Sequence, residues 1–101
     1  MIHVQLVARG TDNLQSLLRQ AIANGQIKSF QTSQVKGGLK ITHKKHKGTI
    51  SIERTKGPLL VTVSCTNSSK EWQLLEAFIG RIAYHFPQEV AAINIQFAPE
   101  Q

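Results

Sequence analysis

The sequence predicts an α+β two-layer sandwich: a mostly antiparallel sheet in the order β-α-β-β-β-β-α-β, with two helices packed on one face. Three observations carry this. Two segments place apolar residues at helical spacing, and six others alternate, or nearly so, with the period of a strand that has one covered face. No one of these segments can bury its apolar side alone, and a single sheet with both helices on one side covers them all. At 101 residues the chain is read as one domain, 1–101. Its hydrophobic fraction of 41% and charged fraction of 18% are those of a folded protein rather than a disordered tail.

Taken in order, Ile2, Val4, Leu6 and Ala8 share one face of a first strand, with His3, Gln5 and Val7 on the other. Arg9 and Gly10 end it, and Thr11 or Asp12 is placed to cap the next helix by accepting one of its free amides. That helix carries Leu14, Leu17, Leu18, Ala21 and Ile22 as one stripe, turns Gln15, Ser16, Arg19 and Gln20 to solvent, and ends at Asn24 and Gly25 in the left-handed conformation. Residues 27–35 keep no single period, yet Phe30, Thr32 and Val35 favour a second strand.

Lys36, Gly37 and Gly38 then make a turn into a basic hairpin, residues 36–56. Leu39 and Ile41 point inward on its first strand and Ile50 and Ile52 on its second, around a tip at Lys45, His46, Lys47 and Gly48. Thr55 to Pro58 form the next turn, and Leu59, Val61, Val63 and Cys65 alternate along a fifth strand. Ser68 with Glu71 three residues on matches a capping box for a second helix. Its apolar face is read as Trp72, Leu75, Phe78, Ile79, Ile82, Ala83 and Phe86, Pro87 ends it, and Tyr84 and His85 cap or line the core edge. A last strand over 92–97 sets Ile93, Ile95 and Phe97 inward against Asn94 and Gln96.

Twelve Lys and Arg against six Asp and Glu give a net charge of +6, which favours acidic partners, nucleic acid first. Seven of those cations lie between Lys36 and Lys56, beside two His and the lone acid Glu53. The outward set of the hairpin and the following strand is chiefly lysines and hydroxyls: Lys40, Thr42, Lys44, Thr49, Ser51, Glu53, Thr62 and Ser64. Such a surface suits phosphates and discriminates little between bases. Lys40, Lys44, Lys45, His46, Lys47, Arg54 and Lys56 are the candidate nucleic-acid contacts. The bland alternative is that exposed strands are commonly rich in Lys and Thr, which are soluble and discourage edge pairing.

The hairpin holds no Phe, Tyr or Trp, so base stacking is not its mode, and a duplex or structured RNA is the favoured ligand. Helix, meander, helix resembles the segment order of a double-stranded-RNA-binding domain. The basic cluster such domains carry at the start of their last helix is reduced here to Lys70 followed by Glu71, and both flanking strands are additional. The resemblance is one of order alone and implies no membership.

Two other classes compete. A protein-interaction or dimerisation module, an adaptor or inhibitor, would bind an acidic protein or a second copy through the exposed sheet face, with Val7 and Leu60 as apolar hints on polar faces. A metal-free ribonuclease would use His43 and His46 as acid and base with Lys45 and Arg54 on the phosphate. Against it, the parity of His43 and the turn position of His46 do not obviously converge. The six carboxylates form no paired site, and no metal or cofactor is implied. A single cysteine, Cys65, excludes an internal disulfide and is read as a buried, inert thiol. With no signal-like leader and no apolar run of roughly 20 residues, the chain is read as a complete, soluble, cytoplasmic protein.

Overall fold

The computed structural model describes residues 1–10, 13–36, 38–53 and 58–97. Its elements are β1 (Ile2–Ala8), α1 (Leu14–Ala23), β2 (Phe30–Val35), β3 (Gly38–His43), β4 (Thr49–Glu53), β5 (Leu59–Ser64), α2 (Ser68–His85) and β6 (Val90–Phe97). The six strands form one antiparallel sheet in the order β2-β3-β4-β5-β1-β6. This is the α+β layout that the alternation predicts, with the first strand inserted between the end of the meander and the last strand.

One face of the sheet is apolar. Ile2, Val4 and Leu6 of β1, Leu39 and Ile41 of β3, Ile50 and Ile52 of β4, and Leu59, Val61 and Val63 of β5 are all buried. Leu14, Leu18 and Ala21 of α1 and Leu74, Leu75, Phe78 and Ile82 of α2 belong to the same buried cluster. At about 25 cal/mol per Å² of apolar surface removed from water, this cluster is the dominant favourable term in folding.

The helix ends differ from the expected ones. Asn13 is the N-cap of α1, its Oδ1 accepting from the Ser16 amide at 3.2 Å; the expected caps Thr11 and Asp12 lie outside the described residues. Gly25, at φ 81°, takes the left-handed position alone, while Asn24 at φ −88° does not. In α2 the cap is Asn67, one residue before the predicted Ser68, and its Oδ1 accepts from Ser69 N at 3.1 Å. Glu71 therefore does not close a capping box. It is 5% exposed, accepts the Cys65 amide on Oε2 at 3.2 Å and pairs through Oε1 with the Met1 amino group.

The apolar arc of α2 is also turned from the expected one. Leu74 is fully buried, whereas Trp72 and Ala83 are exposed and Tyr84 is 77% exposed, so Tyr84 does not line the core. The reason is the width of the stripe: residues 71, 74, 75, 78 and 82 share one side at 100° per residue, and 72 and 83 fall on its flank. The last strand departs further. Ile95 pairs with Val4 and Phe97 with Ile2 on the helix side, yet both are exposed, because β6 is the sheet edge and the helix layer leaves it partly uncovered. Ile27, expected to open β2, is buried in the turn before it. Cys65 is a half-buried free thiol just past the end of β5.

Candidate functional site

The opposite face of the sheet is open and mostly polar, with Val35 and Leu60 as exposed apolar residues on it. Register places Ser33, Lys40, Ser51, Thr62, His3 and Gln96 in one row across all six strands. These are hydroxyls, an amide, an imidazole and one ammonium. Lys40 is exposed within it. The exposed aromatic residues Trp72, Tyr84 and Phe97 lie on α2 or on the helix side of β6, away from this face.

The tip of the β3–β4 hairpin is more highly ordered than a solvated lysine loop requires. His43 closes β3 on the inward parity, with its ring edge-on to Phe30 at 4.7 Å between centroids. Its Nδ1 accepts two main-chain amides, from Lys45 at 2.9 Å and from His46 at 3.2 Å. An imidazole nitrogen that accepts two N–H groups carries no proton, so the tip is wound around a neutral histidine. On the other side, Ser29 presents its carbonyl to the Lys44 amide at 2.8 Å. Ser29 sits at φ 75° and is the one non-glycine residue described in the left-handed region, a conformation that costs about 1–2 kcal/mol. Gly48 ends the tip at φ 115°, and a Cβ built there would lie 2.6 Å from the Ser64 carbonyl oxygen and 3.0 Å from Leu74 Cδ2. The tip is thus fixed by β2, by its own histidine and by β5.

Lys44, Lys45 and Lys47 are exposed on this frame and His46 is half-buried. The preceding loop adds Lys28, one residue before the Ser29 carbonyl that holds Lys44, and α2 adds Arg81, whose charge is felt at His43. Sequence reading overlooked both, since each arrives from a distant segment. Beneath Lys47 a shallow cleft of about 380 Å³ is lined by Lys47, Gly48, Thr49, Ser64, Cys65 and Thr66. Of the remaining candidates, Lys40 lies inside β3 on the open face, with Thr42 between it and the tip. Arg54 and Lys56 lie outside the described residues; Glu53 before them ends β4 at the end of the sheet away from the tip. Of the five candidates among the described residues, Lys40 therefore stands apart from the four at the tip.

No family model matches this chain, and neither does any curated protein or solved structure. Function has to be argued from the geometry.

The two histidines do meet, contrary to the sequence expectation, with ring centroids 4.6 Å apart. The His43 pKa is lowered from 6.5, first by burial and then by the nearby charge of His46, Lys45 and Arg81. With its Nδ1 occupied by turn amides, His43 is committed to holding the tip. Among the described residues no group of three or more His, Cys, Asp or Glu is placed to hold a metal ion, and no helix is long and apolar enough to cross a membrane.

A pH dependence follows from the lowered value. As pH falls, the unfolded chain takes up the proton on His43 before the folded one does. The stability that neutral His43 contributes is complete above 6.5 and is lost as pH falls from there through the lowered folded value. Wild type is expected to lose melting temperature between about pH 7 and about pH 5. His43→Asn, whose Oδ1 can still accept the turn amides, is expected to show a shallower loss. Equal slopes would remove His43 as the titrating group.

Proposed function

We propose that this protein binds nucleic acid non-catalytically, contacting phosphates through the basic hairpin tip with little base specificity. The observation that carries the reading is the fixed tip: Lys44, Lys45 and Lys47 project from a turn whose amides are held by His43 and Ser29. Ordering lysines before a ligand arrives lowers the entropy lost on binding. A groove or backbone contact by such a tip would draw on Lys28 and Arg81 as further cations. Thr49, Ser64 and Thr66, in the cleft under Lys47, supply hydroxyl donors of the kind that accompany lysine on phosphate oxygens.

The open face is close to neutral among its described strand residues, Lys40 and Glu53 offsetting one another, so it leaves the attraction of an anionic ligand to the tip. Its lack of exposed Phe, Tyr or Trp among the described residues fits a duplex or structured RNA, read by backbone and shape, better than single strands that need stacking platforms.

Titration of duplex RNA, duplex DNA and single strands at several salt concentrations tests the reading. With about four phosphate contacts, affinity should fall roughly a hundredfold between about 50 and 200 mM salt, and duplexes of unrelated sequence should bind within a few-fold of one another. Absence of binding at the low-salt end, or binding indifferent to salt, would overturn it.

A further inference from the structure

The far side of the sheet from the basic tip carries a separate feature. β6 is hydrogen-bonded to β1 alone among the described strands, so from Ala92 to Phe97 its outer edge faces no further strand among the described residues; at its start the Val90 amide is bonded to the Phe86 carbonyl. Natural edges are usually blunted by charge or proline. VAAINIQF, the longest strand of the sheet, has neither, and its register against β1 is regular from Ala92 to Phe97, with a bulge at Ala91 confined to its start. The layer above it is open as well: Ile95 is 37% exposed, Phe97 58%, and Trp72, on the near flank of α2 with its ring 5.7 Å from that of Phe97, 50%. Further along, Ile82 and Ala83 of α2 and its C-cap Phe86 line an apolar groove of about 370 Å³ together with Val90, Ala91 and Ile93.

We propose that β6 is the seam of a homodimer, pairing antiparallel with β6 of a second copy about a twofold axis perpendicular to the sheet. Three arguments select a second copy as the occupant. A bare ladder edge is matched by another extended strand, since only that offers donors and acceptors at the same repeat. β6 is complementary to itself: centring the pair on Asn94 keeps odd-numbered inner residues opposite odd-numbered ones, as the strand period demands. Ile95 then stands opposite Ile93 of the second copy, within the regular stretch from Ala92 to Phe97. Charge is the third argument. Two copies of net charge +6 repel except where the surface is neutral, and β6 is neutral and remote in strand order from the hairpin that carries the tip lysines; an acidic protein finds nothing to pair with there.

The perpendicular twofold keeps both helix layers on the same side, so Trp72, Ile95 and Phe97 of the two copies cover the seam together. Eight residues span about 26 Å, and strand plus helix layer is some 15 Å deep, giving roughly 400 Å² per copy. That is below the usual stable interface of about 800 Å² per partner, which makes this a dimer that exchanges at micromolar to sub-millimolar concentration.

Sedimentation equilibrium of the full chain from about 10 μM to about 1 mM tests it. Wild type should dimerise reversibly, Ile95→Lys should weaken the dimer at least tenfold, and Gln34→Lys on the opposite edge strand, β2, should leave it unchanged. Both positions are exposed, and unaltered circular dichroism and melting of the monomers establish that the variants fold. A wild-type chain still monomeric at 1 mM, or one captured by a foreign strand instead, overturns the proposal; so does a dimer that Gln34→Lys dissociates and Ile95→Lys does not.

Discussion

Reversing Lys44, Lys45 and Lys47 to Glu together is expected to lower duplex affinity by two to three orders of magnitude at about 0.1 M salt. Each phosphate contact releases a counterion worth roughly a factor of eight at that concentration, so three contacts alone account for about 500-fold, before the repulsion of the new carboxylates is added. The fold should survive, since all three side chains are exposed and the hydrogen bonds made here by Lys44 and Lys45 are main-chain ones. The informative comparison is the triple reversal of Arg19, Lys36 and Lys70, which changes net charge equally on other exposed positions. If the binding came from bulk charge, the two triples would fall together. Fluorescence anisotropy with a labelled duplex reads the difference, and a tip variant that binds like wild type would remove the tip from the interface.

Gly48→Ala is expected to cost about 2–4 kcal/mol, a drop in melting temperature on the order of 10–20 °C for a domain of this length. A side chain at φ 115° is strained wherever it sits, and here its Cβ also meets the Ser64 carbonyl at 2.6 Å, a backbone atom that cannot swing away. The matched control is the same substitution at Gly80, in the middle of α2, where nothing lies within 4 Å of the added Cβ. Gly80→Ala should instead stabilise by about 0.5–1 kcal/mol, through helix propensity alone. Opposite signs for one chemical change would establish that the tip is pressed against β5. A Gly48→Ala protein that melts with wild type would mean the hairpin can move off β5 freely.

The central strands were fully legible, because a period of two has one meaning when Ile2, Val4 and Leu6, or Leu59, Val61 and Val63, are the apolar members: all six are buried. Alternation names faces and not neighbours, however. Ile93, Ile95 and Phe97 alternate as cleanly as the core strands, and only the position of β6 at the edge leaves two of them exposed. Helical spacing likewise predicts the existence and length of α2, but the buried stripe lies one flank away from the apolar residues that predict it, leaving out Trp72 and Ala83 and taking in Leu74. In the sequence the basic tip is legible as a charged turn joining two strands. Its fixed form depends on His43 turning an acceptor nitrogen onto the amides two and three residues ahead, on Ser29 and on Gly48 meeting β5, contacts that leave no periodic trace in a sequence. Lys28 and Arg81 became visible as neighbours only once the chain was folded.

The place of β1 bears on how the chain reaches this state. Ile2 is paired in register with Val63 on one side and Phe97 on the other, so the β5-β1-β6 end of the sheet is assembled from segments that are distant in the chain. The meander β2–β5 closes through short loops and can form early, whereas the slot beside β5 stays empty until the ends of the chain are brought together. Loop-closure entropy places that step late and makes it slow. Until then the apolar row Leu59, Val61 and Val63 is itself a bare edge, and the span of folding before β1 docks is the period in which this protein is most exposed to aggregation.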